Sequence, residues 1–184
     1  MRLFFLLLLM IVGMLSCDKG PNVPPVIECP NCDFDCLDPV NDEPITNDCL
    51  PNFECQFVIH ENSKLDYNSP SGDIILSGNK RVFEVAYSTQ GDPTIADDEF
   101  FDLLTFEIDL GLTSFEAEGD QLESLNLRYI QSCFCAEVAF KEPVSGCVQG
   151  QKIDDQHWRI QFKGDFEYSF GTRTIAVDVV LEVE

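Results

Sequence analysis

The stretch Ile175-Ala176-Val177-Asp178-Val179-Val180-Leu181-Glu182-Val183 decides the fold. Apolar side chains at 175, 177, 179, 181 and 183 share one face, while Asp178 and Glu182 fall on the other. Side chains on an extended strand alternate between two faces, so a period of two marks a strand with one buried side. The same period recurs upstream. Phe53, Cys55, Phe57 and Ile59 alternate with Glu54, Gln56 and His60, and Leu104, Phe106, Ile108 and Leu110 alternate with Thr105, Glu107 and Asp109. Apolar runs at 74–76 and 82–85 flank Ser77-Gly78-Asn79-Lys80, which predicts a hairpin around a Gly-Asn turn. Further runs at 125–140, 147–153, 158–162 and 166–170 bring the count to roughly nine strands.

No long helical period interrupts this series; residues 97–104 offer one helical turn at most. Residues 53–184 are therefore expected to form an all-β domain, an antiparallel β-sandwich with a barrel as the alternative. Within 125–140 the phase changes. Leu125, Leu127 and Tyr129 lie on one face and Phe134, Ala136, Val138 and Phe140 on the other, which calls for a bulge or a crossing between sheets.

The amino-terminal end follows different rules. Met1-Arg2 precedes an apolar run at 3–15 broken only by Gly13, then Ser16-Cys17-Asp18-Lys19. A short positive start, a short apolar run and a small residue before the cut are the parts of a secretory signal peptide. As a helix the run reaches about 20 Å, short of the ~30 Å hydrocarbon core of a bilayer. Met14-Leu15-Ser16-Cys17 resembles the lipobox of bacterial lipoproteins, with Met14 where leucine is usual, and the start is similar to many Bacteroidota lipoproteins. That resemblance covers only the first twenty or so residues. It implies removal of residues 1–16 and lipidation of Cys17 by diacylglycerol and an amino-terminal acyl chain such as palmitate. It further implies anchoring to the bacterial cell membrane, most simply the outer membrane at its periplasmic or surface face. Several acyl chains hold a protein stably where one does not.

Residues 17–52 read as the lipidated cysteine, a tether and a cysteine-rich arm. Seven of the ten prolines fall here, so the arm is expected to be extended. With Cys17 lipidated, eight cysteines remain: Cys29, Cys32, Cys36 and Cys49 in the arm, and Cys55, Cys133, Cys135 and Cys147 in the domain. An even set in an exported chain is read as a disulfide framework, here with 105 connectivities. The Cys29-x2-Cys32-x3-Cys36 spacing fits neither ferredoxin pattern, and Cys29-Pro30-Asn31-Cys32 lacks the strand-then-helix context of a redox motif. Cys133 and Cys135 point the same way ~6.5–7 Å apart, awkward for bonding each other. At least one of them is expected to staple the arm at a cysteine between Cys29 and Cys49.

The formal charge of −22 repels nucleic acid, whose affinity comes from phosphate neutralisation, and repels anionic headgroups. A membrane contact therefore goes through the lipid anchor, with a protein or carbohydrate partner in the envelope as the remaining option. Signals for chemistry are sparse. His60 and His157 have no spaced histidine partners, and Ser77-x-x-Lys80 lies in a turn, not at a helix start. Asp92, Asp97, Asp98, Glu99 and Asp102 supply the oxygen ligands calcium takes but lack the spacing and glycine of a calcium loop. Trp158, between His157 and Arg159, is either a sugar-stacking platform or core. No cofactor is implied. The sequence points to a lipoprotein acting as a binding or structural module. The alternative is an envelope enzyme or calcium-dependent binder with a site near Trp158 or the acidic stretch.

Overall fold

A computed structural model describes Cys49 and residues 53–69, 72–89, 100–132 and 138–184. The signal segment, Cys17, Cys29, Cys32, Cys36, Cys133, Cys135, and the acidic residues Asp92, Asp97, Asp98 and Glu99 lie outside the described residues.

The described chain is all-β. Its strands are β1 (Phe53–Leu65), β2 (Ile75–Ser77), β3 (Lys80–Thr89), β4 (Phe101–Asp109), β5 (Ser114–Glu118), β6 (Arg128–Ser132), β7 (Pro143–Lys152), β8 (His157–Tyr168) and β9 (Gly171–Val183). A short 3₁₀ helix, Gly119–Leu125, joins β5 to β6. The strands form one curled sheet in the order β5-β7-β8-β9-β1-β3-β4-β6, a half-barrel, with β2 pairing off this path onto β1. The sheet is mixed, because β1 and β9 run parallel where they meet.

Cross-strand register shows which side chains face inward. Ile59 lies opposite Phe83 and Phe83 opposite Phe106; on the other half Phe115 faces Gly150, Gly150 faces Ile160, and Ile160 faces Val179. Opposed residues share a face, so every second residue of each strand enters the concave side. Phe83, Phe106, Phe115 and Trp158 are each 1% exposed or less and meet one another at 4.8–6.2 Å between ring centroids. Burying one such ring contributes roughly 1.5–3 kcal/mol. Gly150 has to be glycine, since a Cβ there would overlap the Phe115 ring.

The two free edges of the half-barrel approach each other through the 3₁₀ helix. Leu122 and Leu125 enter the core from it, and the β6 edge is bridged by Tyr129 and Lys141, which exchange backbone bonds of 3.0 and 2.8 Å. The other seam is short: β1 and β9 pair only at Val58↔Glu182 and Ile59↔Val183.

Three expectations are corrected. Residues 77–80 do not join a paired β2–β3 hairpin; both strands lie on β1, where Ser63 is opposite Ser77 and also Lys80. A bulge at Asn62, with φ of 52°, makes room, and Gly78 sits where a Cβ would be 2.7 Å from the Ser63 carbonyl. Residues 125–140 are not one long strand: the 3₁₀ helix ends at Leu125, Asn126 turns left-handed with φ of 50°, and β6 begins at Arg128. Residues 101–104, read as part of a helical turn, belong to β4.

Cys49 and Cys55 form a disulfide with Cα atoms 5.8 Å apart. Cys55 therefore closes a short loop within the chain's own entry to β1 and makes no link to a distant strand. Cys147, fully buried on β7, is also disulfide-bonded, with its partner outside the described residues. The staple expected through Cys133 or Cys135 likewise lies outside the described residues.

Candidate functional site

The short β1–β9 seam has a consequence at one end of the half-barrel. From Val58↔Glu182 the two strands diverge toward their starts at Phe53 and Gly171, and the wall opens. A cleft of about 460 Å³ occupies the opening. Phe53 and Phe100 form one rim, with rings edge-on at 5.9 Å; Val85, Leu104 and Tyr129 form the floor, and residues 173–177 of β9 form the opposite wall. Phe100 is fixed by the exit of the β3–β4 connection, where its carbonyl accepts from Thr89 N–H and its N–H donates to Thr89 Oγ1, both at 2.9 Å.

Two charged residues face into this opening. Asp102 has the same parity on β4 as Leu104, Phe106 and Ile108, and Arg173 has the same parity on β9 as Ile175, Val177 and Val179. Both are thus carried inward by the rule that buries their neighbours. Tyr129 Oη donates to Asp102 Oδ1 at 2.6 Å, and Arg173 Nη2 donates to Asp102 Oδ2 at 3.3 Å across the cleft. Gln131, opposite Asp102 on β6, donates a third bond. Burial nonetheless dominates and pushes the Asp102 carboxyl above the usual carboxylate range, against the opposing pull of Tyr129, Arg173 and Gln131. The Arg173 guanidinium lies 5.8 Å from the centre of the Tyr129 ring, which packs on Phe166 at 4.9 Å.

Tyr87 lies directly opposite Asp102 on β3 and lines the same cleft. Burial, then the nearby Asp102 charge, raises its hydroxyl pKa. Among the described residues no hydrogen bond involves that hydroxyl. A carboxylate offers about four acceptor sites and a guanidinium about five donors. Asp102 uses three and Arg173 one on the partners named above. The cleft therefore holds an acceptor, several donors and a hydroxyl able to do either, on an apolar bed.

The residues singled out from sequence are distributed differently. Trp158 is 1% exposed, enclosed by Phe83 and Phe115, with the Arg81 guanidinium 4.7 Å from its ring centre. It is core and offers no face to a sugar in solution. His157 is on the exposed side of β8, bonded to Asp154 at 2.9 Å, and does not approach the cleft lining. Of the acidic stretch only Asp102 is described, and its carboxylate is turned to Arg173 and Tyr129. Among the described residues no group of three or more His, Cys, Asp or Glu side chains could hold a metal ion, and no helix is long and apolar enough to cross a membrane. Sequence reasoning missed Arg173, Tyr87 and Tyr129. The signal for Arg173 is present: the alternation of residues 175–183, extended back two residues, puts an arginine on the buried face.

No protein-family model, curated protein or solved structure matches the chain.

Proposed function

We propose that this chain is a lipoprotein of the bacterial envelope, anchored through Cys17, and that it is a binding module whose site is the open-end cleft. The observation that supports this reading is the unused hydrogen-bonding capacity of Asp102, Arg173 and Tyr87 inside an apolar hollow. A few convergent polar groups on a largely apolar concave lining are what ligand sites are made of. Binding fits the lining better than catalysis does. Among the described residues it contains one carboxylate and neither histidine nor cysteine, so neither a carboxylate pair nor a histidine-activated or thiol nucleophile is assembled from it.

The site is tested by filling it. Ile175 is half-buried on the cleft wall, and Ile175→Trp places an indole in the hollow. A neutral dye with an apolar body and a carbonyl that can accept from Arg173, such as Nile red, should bind the mature chain saturably at one site and fail to bind this variant, with the melting temperature kept. Equal dye binding by both proteins refutes the site. The anchor is tested separately. Cys17→Ser should abolish labelling by a fatty-acid analogue and release the protein from the membrane fraction; labelling that persists refutes it.

A further inference from the structure

We infer that the ligand of the open-end cleft is a neutral carbohydrate, bound through one sugar ring with its apolar face on the aromatic rim and its hydroxyls on Asp102, Arg173 and Tyr87. This rests on the cleft being a binding site and names what it takes.

Charge narrows the ligand first. An anion would meet the Asp102 carboxylate within the cleft and a chain of formal charge −22 around it. A cation would meet the Arg173 guanidinium, which already neutralises Asp102 at 3.3 Å. The pair sums to zero, so a neutral ligand is the one that neither residue repels.

Polarity narrows it again. A wholly apolar ligand would strip water from the Tyr87 hydroxyl and the free N–H groups of Arg173 and return nothing. The ligand must carry both donors and acceptors on an apolar body. Hydroxyls on neighbouring ring carbons do this: one can donate to the remaining acceptor site of Asp102 while the next accepts from Arg173, and a third can pair with Tyr87 Oη in either sense. The axial C–H face of the same ring is apolar and suits the Phe53–Phe100 rim, whose rings stand edge-on at 5.9 Å.

A peptide also carries donors and acceptors, but it presents them as a ladder repeating along its length. The polar groups here converge on one place instead, since Tyr87, Asp102 and Gln131 are successive cross-strand neighbours and Arg173 reaches the middle one. A single ring in a convergent site fits better than a strand added to an edge. Hydrolysis of a glycosidic bond commonly uses two carboxyl groups about 5–9.5 Å apart, and among the described residues the lining holds only Asp102, which suits holding a sugar better than cutting it.

The test uses the mature chain, immobilised by its amino-terminal end, on an array of neutral and acidic glycans, with hits measured by calorimetry in solution. Expected are saturable binding of neutral glycans, at least tenfold preference over acidic glycans of the same backbone, and no release of reducing ends. Tyr87→Phe should weaken binding about fivefold with the melting temperature unchanged, and Asp102→Asn at least tenfold with only a small fall in melting temperature. Ile175→Trp should abolish it. A silent array with Nile red still blocked by Ile175→Trp overturns the carbohydrate and leaves the cleft a binding site. A silent array with dye binding indifferent to Ile175→Trp overturns both. Preference for acidic glycans, or capture of an extended peptide that Ile175→Trp blocks, also overturns the neutral sugar.

Discussion

The two ends of the half-barrel each set an inward-facing arginine against an aromatic ring and a carboxylate, and they use the arrangement differently. At the closed end Arg81 lies over Trp158 at 4.7 Å, its Nε donates to Glu61 at 2.6 Å, and its Nη1 donates to the Leu112 carbonyl at 3.3 Å. Its side chain is 8% exposed. At the open end Arg173 stands 5.8 Å from the Tyr129 ring and donates to Asp102 at 3.3 Å, with its side chain 34% exposed. One arginine plugs a barrel end that rings already fill; the other edges a hollow. Where an inward charge has its donors matched and water excluded, it is structure. Where donors remain over and a cavity adjoins, the same residue type is available to a ligand.

This contrast predicts a descending series of effects. Trp158→Ala removes the largest ring of the closed end and should cost about 3–5 kcal/mol of stability in denaturant titration. A loss under about 1 kcal/mol would mean that the closed end is not the packed one. Arg81→Ala should cost about 2–3 kcal/mol, somewhat less than breaking a fully buried pair, because Glu61 still reaches water. Arg173→Ala, the same substitution at the other end, should cost about 1 kcal/mol or less while weakening ligand binding at least tenfold. Equal destabilisation by the two arginine substitutions would erase the distinction.

The smallest effect concerns the seam from which the two ends diverge. His60 on β1 bonds Glu84 on β3 at 2.9 Å and Glu184, just beyond β9, at 3.1 Å. The Glu84 bond chiefly, with the charges of Glu84 and Glu184, raises its pKa above the ordinary imidazole value in spite of burial. The folded chain thus holds this proton more tightly than the unfolded one. The stability it gives is complete below about pH 6.5 and fades as pH rises through the folded value. His60→Gln should remove this part of the pH dependence, worth about half a kcal/mol. Parallel stability curves for the parent and His60→Gln between pH 6 and 9 would show that His60 does not hold the seam.

Strands with a strict alternation are legible in the sequence alone. β1, β4 and β9 follow the parity of Phe57, Phe106 and Val179, because one buried face demands it. The 3₁₀ helix is not legible, since Leu122 and Leu125 repeat at three, too briefly to register as a period. Its start does carry a mark. Glu118 and Gln121 cap each other's backbone groups, the spacing of a capping box. The cleft is half legible. Asp102 stands out in the sequence as one of several acidic residues with the oxygen ligands of a calcium site, but its partners lie 27 and 71 residues away in the chain. No local pattern contains the register that brings β4, β6 and β9 together. What the sequence does contain is two charged residues on faces that alternation assigns to the core.

The parallel seam also sets the order in which the molecule can assemble. β1 finds β2 and β3, the next strands in the chain, but its remaining neighbour is β9, and Val58 waits for Glu182. The chain entropy of closing so long a loop has to be met before the contact rewards it, which makes this the slow pairing. Without β9, a β1–β3–β4–β6 meander would leave Ile59, Phe83 and Phe106, all buried in the native fold, uncovered on its concave face. An apolar face left open until the last strand arrives is where aggregation threatens and where a holding chaperone would engage.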